Sequence, residues 1–247
     1  MATTPGRKTF VVLENNPAAL NPLIQKLGLS AELQFHDVYS LDEPALLSHI
    51  PRPAHALLAI IPMTGAWAAL RATEDAAMPA VYPGRGGAPH EPVLWFKQTI
   101  GHACGSIGAL HCCLNGGAAA RIAPGSALEA IRDAATPLGM AERASMLHDD
   151  EAFEVAHASV ASNGDTLPPD ADGADRLGQH FVAFVKGPNG HLWELEGSRR
   201  GPIDRGALPE DEDVLSPRAV ELGIGRYIRL QRESGDGDLR FSCTALA

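Results

Sequence analysis

The chain has 247 residues, of which 45% are apolar and 20% are charged, and its formal net charge is −10 at pH 7. This composition is typical of a globular protein and excludes disordered and collagen-like chains. Proteins that bind phosphate backbones cluster Lys and Arg, so the acidic balance and the scattered basic residues argue against a nucleic-acid partner. A basic macromolecular partner would be attracted to this surface.

Neither a secretion signal nor a membrane span is predicted. The apolar run over 54–62 is much shorter than the ~20 residues that a spanning helix requires. Three of the four cysteines, Cys104, Cys112 and Cys113, fall in one segment, unlike a secreted disulfide framework or a CxxC zinc site. We therefore expect a cytoplasmic protein with reduced thiols, no membrane contact, no metal and no cofactor.

The first part of the chain alternates between strand and helix patterns. In order, the pattern predicts a strand over 9–13, a helix over 18–27 ended by Gly28, a strand over 33–39, a short helix over 42–50 and a strand over 56–61. Residues 56–61 are all apolar, which is typical of a strand buried on both faces. This strand should lie in the centre of a sheet.

The rest of the chain begins with a loop over 78–92, which contains seven Gly and Pro residues. Helices are predicted over 126–135 and 141–161, a polar loop over 163–176, strands over 180–185 and 191–195, a helix within 211–232 and a last strand over 239–246. The pair Asn189-Gly190 indicates a hairpin between the first two of these strands. The irregular order predicts an α+β fold with an antiparallel sheet, in a single domain over 1–247.

Cys104 lies at the start of a predicted helix. The segment 95–115 reads WFKQTIGHACGSIGALHCCLN, in which Ile107, Leu110 and Leu114 recur at helical spacing. A helix N-terminus and a histidine partner lower the pKa of a thiol, so the thiolate becomes the attacking species near neutral pH. The amide of Gln98 could donate to the oxyanion that forms when a thiolate attacks a carbonyl. This pattern is typical of cysteine proteases, whereas the other three cysteines are interpreted as core residues.

The general base must be one of ten histidines. His111 lies seven residues after Cys104, about 10 Å along the helix axis, which is too far for a hydrogen bond to the thiol. His180 opens a strand, and Glu194 and Glu196 on the partner strand are alternative carboxylates for orienting its imidazole. From these residues alone, His180 is one candidate base, and a purely structural histidine is the alternative.

Two segments resemble the catalytic blocks of the ubiquitin C-terminal hydrolases. QTIGHACGSIGALH at 98–111 resembles the family's cysteine segment, and HFVAFVKGPNGHLWELEGSRRGPIDRG at 180–206 resembles its histidine strand and the Pro-Ile segment that follows. LENNPAALNPLIQKLGL, FHDVYSLD, LLSHIPRP and LRFSCTALA also resemble family segments in the same order. The resemblance covers nearly the whole chain.

The resemblance implies roles for individual residues. Cys104 would be the nucleophile, His180 the general base, Gln98 the oxyanion donor, and Glu196 the orienting acid where the family usually has Asp. Because Glu is one methylene longer, its carboxylate would reach farther, and the segment between the histidine and the acid is also one residue longer than is typical. The strand register survives if the extra residue stays in the turn. Glu14 matches a position near the family's ubiquitin contact.

The resemblance also implies the fold and the function. The fold would be a papain-like helix-sheet-helix sandwich with a knotted backbone, and the protein a monomer. Residues 163–176 would form a loop over the active site that admits only small or unfolded adducts. The expected function is thiol-dependent hydrolysis of such adducts from the C-terminal glycine of ubiquitin, whose basic face suits an acidic enzyme. A related modifier is an alternative substrate.

Two other functions remain open at the level of sequence. One is a transglutaminase or acyltransferase that uses a papain-like triad, although this would not explain the resemblance outside the catalytic blocks. The other is a non-catalytic ubiquitin-binding module, which the change from Asp to Glu196 makes conceivable. The presence of Cys104, His180 and Gln98 argues against a binding module.

Overall fold

Helices and strands follow one another irregularly in this protein, for which a computed structural model describes residues 8–82, 91–161, 178–235 and 238–247. The described helices are α1 (Pro17–Leu27), α2 (Pro44–Leu47), α3 (Gly65–Ala76), α4 (Cys104–Leu114), α5 (Ala127–Ala135), α6 (Met140–His148), α7 (Glu151–Ala161), α8 (Pro217–Leu222) and α9 (Ile224–Ser234), with a 3-10 helix at Gly116–Arg121. The described strands are β1 (Phe35–Asp37), β2 (Ala56–Pro62), β3 (Gln179–Lys186), β4 (His191–Leu195), β5 (Ile203–Ala207) and β6 (Ser242–Leu246). The predicted loop at 163–176 and most of the loop at 78–92 lie outside the described residues.

The described strands form one sheet in the order β1-β6-β2-β3-β4-β5. Every neighbouring pair is antiparallel. β2 lies in the interior of the sheet between β6 and β3, as the apolar run at 56–61 predicts.

Side chains of β2 alternate between two cores on opposite faces of the sheet. Leu58 packs in one core with Leu20 of α1 and Leu110 of α4. Leu57 faces the other core, which contains Trp67 of α3. Helices therefore cover both faces, and the predicted α+β fold with helices on either side of an antiparallel sheet is confirmed. The knotted backbone and the single domain over 1–247 stay predictions.

The segment 9–13 is not a strand of the sheet, so this prediction is wrong. Thr9 forms an isolated bridge with Gly101, outside the described strands. The N–H of Phe10 donates to the carbonyl of Gly101 at 2.8 Å, and the N–H of Gly101 donates to the carbonyl of Lys8 at 2.9 Å. These backbone hydrogen bonds connect the segment 8–10 to the loop that leads into α4.

The predicted helix over 141–161 is two helices, because the chain breaks at Asp149 and Asp150. The Asp150 carboxylate accepts a hydrogen bond from the backbone N–H of Phe153 at 2.7 Å, as at a helix start. The predicted C-terminal helix is likewise divided, into α8 and α9, at Gly223. Neither α3 nor β5 was predicted from the sequence.

Other local predictions are confirmed. Gly28 ends α1 in the left-handed conformation, with φ of 105°. The hairpin predicted from Asn189-Gly190 joins β3 and β4, which pair Ala183 with Leu195 and Lys186 with Leu192 without a shift in register. Within the described ranges, none of the helices is long and apolar enough to cross a membrane.

Candidate active site

Cys104 is the first residue of α4, as the sequence predicts. Two residues earlier, His102 takes a φ of 56°, in the left-handed region that few residues other than Gly adopt. The chain turns there and enters the helix. The first N–H groups of a helix have no acceptor within the helix, so they and the helix dipole favour negative charge at this end.

Glycine lets the start of α4 come close to β3. A Cβ added at Gly105 would lie 3.2 Å from the ring of Phe181 and 3.2 Å from Cβ of Leu13. These contacts are tight, so Gly105 sets the spacing between helix and strand. Since His180 directly precedes Phe181, the same close approach brings Cys104 and His180 together.

Cys104 is partly buried, and its thiol lies in an environment that favours the thiolate. Burial alone would raise the pKa of the Cys104 thiol, but a hydrogen bond with His180 and the charge of its imidazolium outweigh burial and lower the pKa. Hydrogen bonds from the backbone of Phe181 and Gly105 act in the same direction. The sulfur is therefore suited to be a nucleophile.

His180 stands between the thiol and a buried carboxylate. Its Nε2 lies 2.5 Å from Oε1 of Glu196, which leaves Nδ1 for the thiol. Burial alone would lower the pKa of His180, but the charge of Glu196 and hydrogen bonds with Cys104 and Glu196 raise it to about 10. Burial would raise the pKa of Glu196, yet the positive charge of His180 holds it well below its usual range. The three groups together stabilise a thiolate-imidazolium pair.

The Glu196 carboxylate has neighbours that the sequence did not reveal. Ser198 donates to Oε1 from its hydroxyl at 2.6 Å and from its backbone N–H at 2.8 Å. Oε2 lies 3.6 Å from the guanidinium of Arg71, which belongs to α3, and 3.9 Å from that of Arg199. Ser198 lies within the segment 180–206, but the sequence does not show that its hydroxyl contacts Glu196. Arg71 could not be identified either, because α3 was not predicted.

Glu194, the alternative orienting carboxylate, is engaged elsewhere. Its oxygens accept hydrogen bonds from Arg205 at 2.8 Å and from the Tyr227 hydroxyl at 2.7 Å. Arg205 and Arg199 also contact Glu74 of α3. This buried network joins α3, α9 and the β4–β5 region, so Glu194 stabilises the packing of these elements and does not orient His180.

Gln98 lies beside the turn that carries Glu196. Its backbone N–H donates to the carbonyl of Gly197 at 2.8 Å, and its side-chain Nε2 donates to the carbonyl of Ile100 at 3.1 Å. An amide nitrogen has two N–H groups, so one remains for a substrate oxygen. The amide oxygen is buried and accepts no hydrogen bond from the described residues.

Other candidate residues lie apart from this cluster. The partly buried Glu14 accepts a hydrogen bond from the Asn16 side chain at 2.7 Å. His111 accepts from the backbone N–H of Phe96 at 3.0 Å, and burial lowers its pKa to about 3. Burial raises the pKa values of Cys112, Cys113 and Cys243. Among the described residues, no group of three or more His, Cys, Asp or Glu side chains could hold a metal ion.

Comparison with solved structures supports the fold. A chain described as the Trichinella spiralis UCH37 catalytic domain bound to ubiquitin vinyl methyl ester aligns with a TM-score of 0.70 at 22% identity. The alignment covers 96% of this chain and 94% of that chain. At this identity the similarity establishes a common architecture, in agreement with the helix-sheet-helix arrangement described above.

Sequence comparison extends the similarity to curated proteins. The rat ubiquitin carboxyl-terminal hydrolase isozyme L1 is 32% identical over 234 residues, covering 95% of this chain and 96% of the relative. The Arabidopsis thaliana ubiquitin carboxyl-terminal hydrolase 3 is 31% identical over 241 residues, covering 97% and 94%. The family model for ubiquitin carboxyl-terminal hydrolase, family 1, matches residues 10–229. With matches that extend over almost the whole chain, this protein belongs to the ubiquitin carboxyl-terminal hydrolase family 1.

Proposed function

We propose that this protein is a thiol hydrolase that cleaves small or unfolded adducts from the C-terminal glycine of ubiquitin. The observation that carries the proposal is the contact of Cys104, at the start of α4, with His180, which in turn contacts Glu196. The names of the relatives supply the substrate class. The formal net charge of −10 suits a basic partner surface.

The reaction begins when the Cys104 thiolate attacks the carbonyl carbon of the terminal glycine. The oxyanion accepts hydrogen bonds from the Gln98 amide and from a backbone N–H at the start of α4. The His180 imidazolium then gives its proton to the leaving group as the bond to the adduct breaks, which leaves a thioester on Cys104. Water attacks the thioester and loses one proton to His180, the Cys104 sulfur leaves as a thiolate, and the released ubiquitin carboxyl group loses the second proton to solvent, so the thiolate-imidazolium pair is restored.

Glu196 keeps the imidazole oriented and favours its charged form throughout these steps. Glu14 is proposed to contact ubiquitin outside the reacting centre. The protein is proposed to act as a cytoplasmic monomer. The preference for small adducts rests on the family resemblance of residues 163–176, which lie outside the described residues.

The test is hydrolysis of ubiquitin that carries a fluorogenic amide at its C-terminus. We expect turnover by the wild type and none above background by Cys104→Ala. Cys113→Ala is the matched control, because this buried thiol lies in the same helix and its pKa is raised. Turnover that survives in Cys104→Ala would overturn the proposed nucleophile, and binding of ubiquitin without turnover by the folded wild type would indicate a binding module.

A further inference from the structure

Three groups converge on one oxygen of the Glu196 carboxylate. The Ser198 hydroxyl lies 2.6 Å from Oε1, and the Ser198 backbone N–H donates to the same oxygen at 2.8 Å. The Nε2 of His180 lies 2.5 Å from this oxygen as well. Ser198 therefore holds the same Glu196 oxygen that contacts the imidazole of His180.

The other carboxylate oxygen is held less firmly. Oε2 of Glu196 is buried and accepts no hydrogen bond from the residues that the structure describes. Arg71 and Arg199 stand 3.6 Å and 3.9 Å away. Their charges favour an ionised carboxylate, but contacts beyond hydrogen-bond distance do not fix its orientation. The orientation depends on Oε1 and its donors.

Ser198 is itself fixed by a clamp on its backbone. The Nζ of Lys97 donates to the carbonyl of Ser198 at 2.8 Å and to the carbonyl of Arg199 at 2.5 Å. Lys97 directly precedes Gln98, whose backbone N–H holds Gly197 in the same way at 2.8 Å. Two residues of the segment before α4 thus hold the turn after Glu196, and this fixes the position of the Ser198 hydroxyl as a donor.

A glutamate has one more rotatable bond than an aspartate, so its carboxylate loses more freedom when it is ordered. A fixed donor reduces the number of positions that this longer side chain can take. We infer that Ser198 is a positioning residue that sets the Glu196 carboxylate against the His180 imidazole. The expected effect of Ser198 on kcat rests on the proposed function, whereas its expected effect on the pKa of His180 does not.

The first experiment is an NMR titration of the His180 imidazole in a Cys104→Ala background, in which the thiol no longer titrates. Among the residues that the structure describes, Glu196 is the charged group that acts on the imidazole, and Arg71, Arg199, Lys97 and the buried His111 lie near enough to interact with the Glu196 carboxylate. Ser198→Ala should lower the pKa of His180 by about one unit, because the carboxylate is no longer held against the ring. Ser198→Thr keeps the hydroxyl and should retain the His180 pKa of the Cys104→Ala parent.

Ser216→Ala is the matched control for this titration. The Ser216 hydroxyl donates to Glu212 at 2.7 Å and caps α8, so its partners are outside the catalytic cluster. Its loss removes the same kind of serine-glutamate hydrogen bond and should leave the pKa of His180 unchanged.

The second experiment measures kinetics with Cys104 intact. Ser198→Ala should lower kcat for the ubiquitin amide about tenfold and leave KM within about twofold, because the bond acts on the base and not on the substrate. Where Ser198→Ala does not fold, Ser198→Cys, a weak donor of similar size, gives the same comparison.

An unchanged His180 pKa in folded Ser198→Ala would overturn the inference and leave Ser198 with a structural role only. If the wild type does not hydrolyse the ubiquitin amide, the proposed function fails. The titration in the Cys104→Ala background uses no ubiquitin, so it still decides whether Ser198 positions Glu196.

Discussion

At the scale of single residues, Glu196 determines how the site responds to pH. Its negative charge counteracts burial and raises the pKa of His180 to about 10, while the imidazolium lowers the pKa of the Cys104 thiol. The thiolate-imidazolium pair forms as the thiol loses its proton and persists until His180 loses its own. Removing the charge of Glu196 must therefore lower the pH at which the pair is lost.

Glu196→Gln tests this relation, because it removes the charge and nearly preserves the shape. We expect kcat to fall about 100-fold or more, and the alkaline limb of kcat/KM for the ubiquitin amide to move to lower pH. Glu196→Asp keeps the charge and is the control, with a smaller loss. An alkaline limb that stays in place in Glu196→Gln would show that this carboxylate does not set the pKa of His180.

The lowered pKa of Cys104 predicts selective alkylation. Iodoacetamide at pH 6 to 7 should label Cys104 in the folded protein, whereas the thiols of Cys112, Cys113 and Cys243 stay protected by burial and by their raised pKa values. Peptide mapping after a timed reaction identifies the labelled residue. A labelling rate that rises only near pH 8.5, as for a free thiol, would contradict the lowered pKa.

At the scale of elements, the packing of α4 on β3 places the nucleophile beside its base. Gly105→Ala would add a Cβ 3.2 Å from both Phe181 and Leu13, so helix and strand must move apart by a few tenths of an ångström. We expect kcat to fall about tenfold and the pKa of the Cys104 thiol to rise, as measured by turnover and by the pH dependence of alkylation.

Gly65→Ala is the control for this substitution. A Cβ at Gly65, the first residue of α3, would meet nothing within 4 Å. Alanine favours helix by about 0.5 to 1 kcal/mol over glycine, so this variant should keep full activity and unchanged or slightly higher stability. Equal kinetics in the two variants would contradict the role of Gly105 in spacing the helix from the strand.

Elements with strong local signals could be predicted from the sequence. Gly28 ends α1, the apolar run in β2 indicated a central strand, and Asn189-Gly190 indicated the hairpin of β3 and β4. Residues 9–13 have a strand pattern, but Thr9 bridges Gly101 in the loop before α4, a contact between distant segments that a local pattern does not reveal. The break at Asp149 was missed since alanine-rich sequence on both sides favours helix.

At the scale of the whole molecule, the site combines a local motif with long-range contacts. The start of α4 is readable in the sequence, because helical spacing follows Cys104 directly. The pairing of His180 with Glu196 required the family resemblance, since from the residues alone Glu194 was an equal candidate. Arg71 reaches Glu196 from α3 across the fold, and Ser198 does so through a turn, so no local pattern could indicate either contact.

Two buried histidines predict a loss of stability in mild acid. Burial lowers the pKa of His157 to about 4 and that of His111 to about 3. The unfolded chain takes up these protons near pH 6.5, so between pH 6.5 and 4 it binds more protons than the folded chain, and stability falls as pH falls. We expect the melting temperature to drop by more than about 5 °C from pH 7 to 4.5.

The variant His157→Gln measures how much His157 contributes to the loss of stability in acid. The Nδ1 of His157 lies 2.7 Å from the hydroxyl of Ser106, and a glutamine amide can keep a polar contact there without titrating. The drop in melting temperature between pH 7 and 4.5 should be smaller in this variant than in the wild type. An equal drop in both proteins would show that His157 does not contribute to the acid sensitivity.

Covalent capture by ubiquitin that carries a vinyl methyl ester at its C-terminus tests whether Cys104 is the nucleophile of a ubiquitin hydrolase. We expect one ubiquitin per chain, with the bond mapped to Cys104 by mass spectrometry of peptides, and no adduct with Cys104→Ala. An adduct at another cysteine, or no adduct with a folded protein whose Cys104 reacts with iodoacetamide, would contradict this role of Cys104.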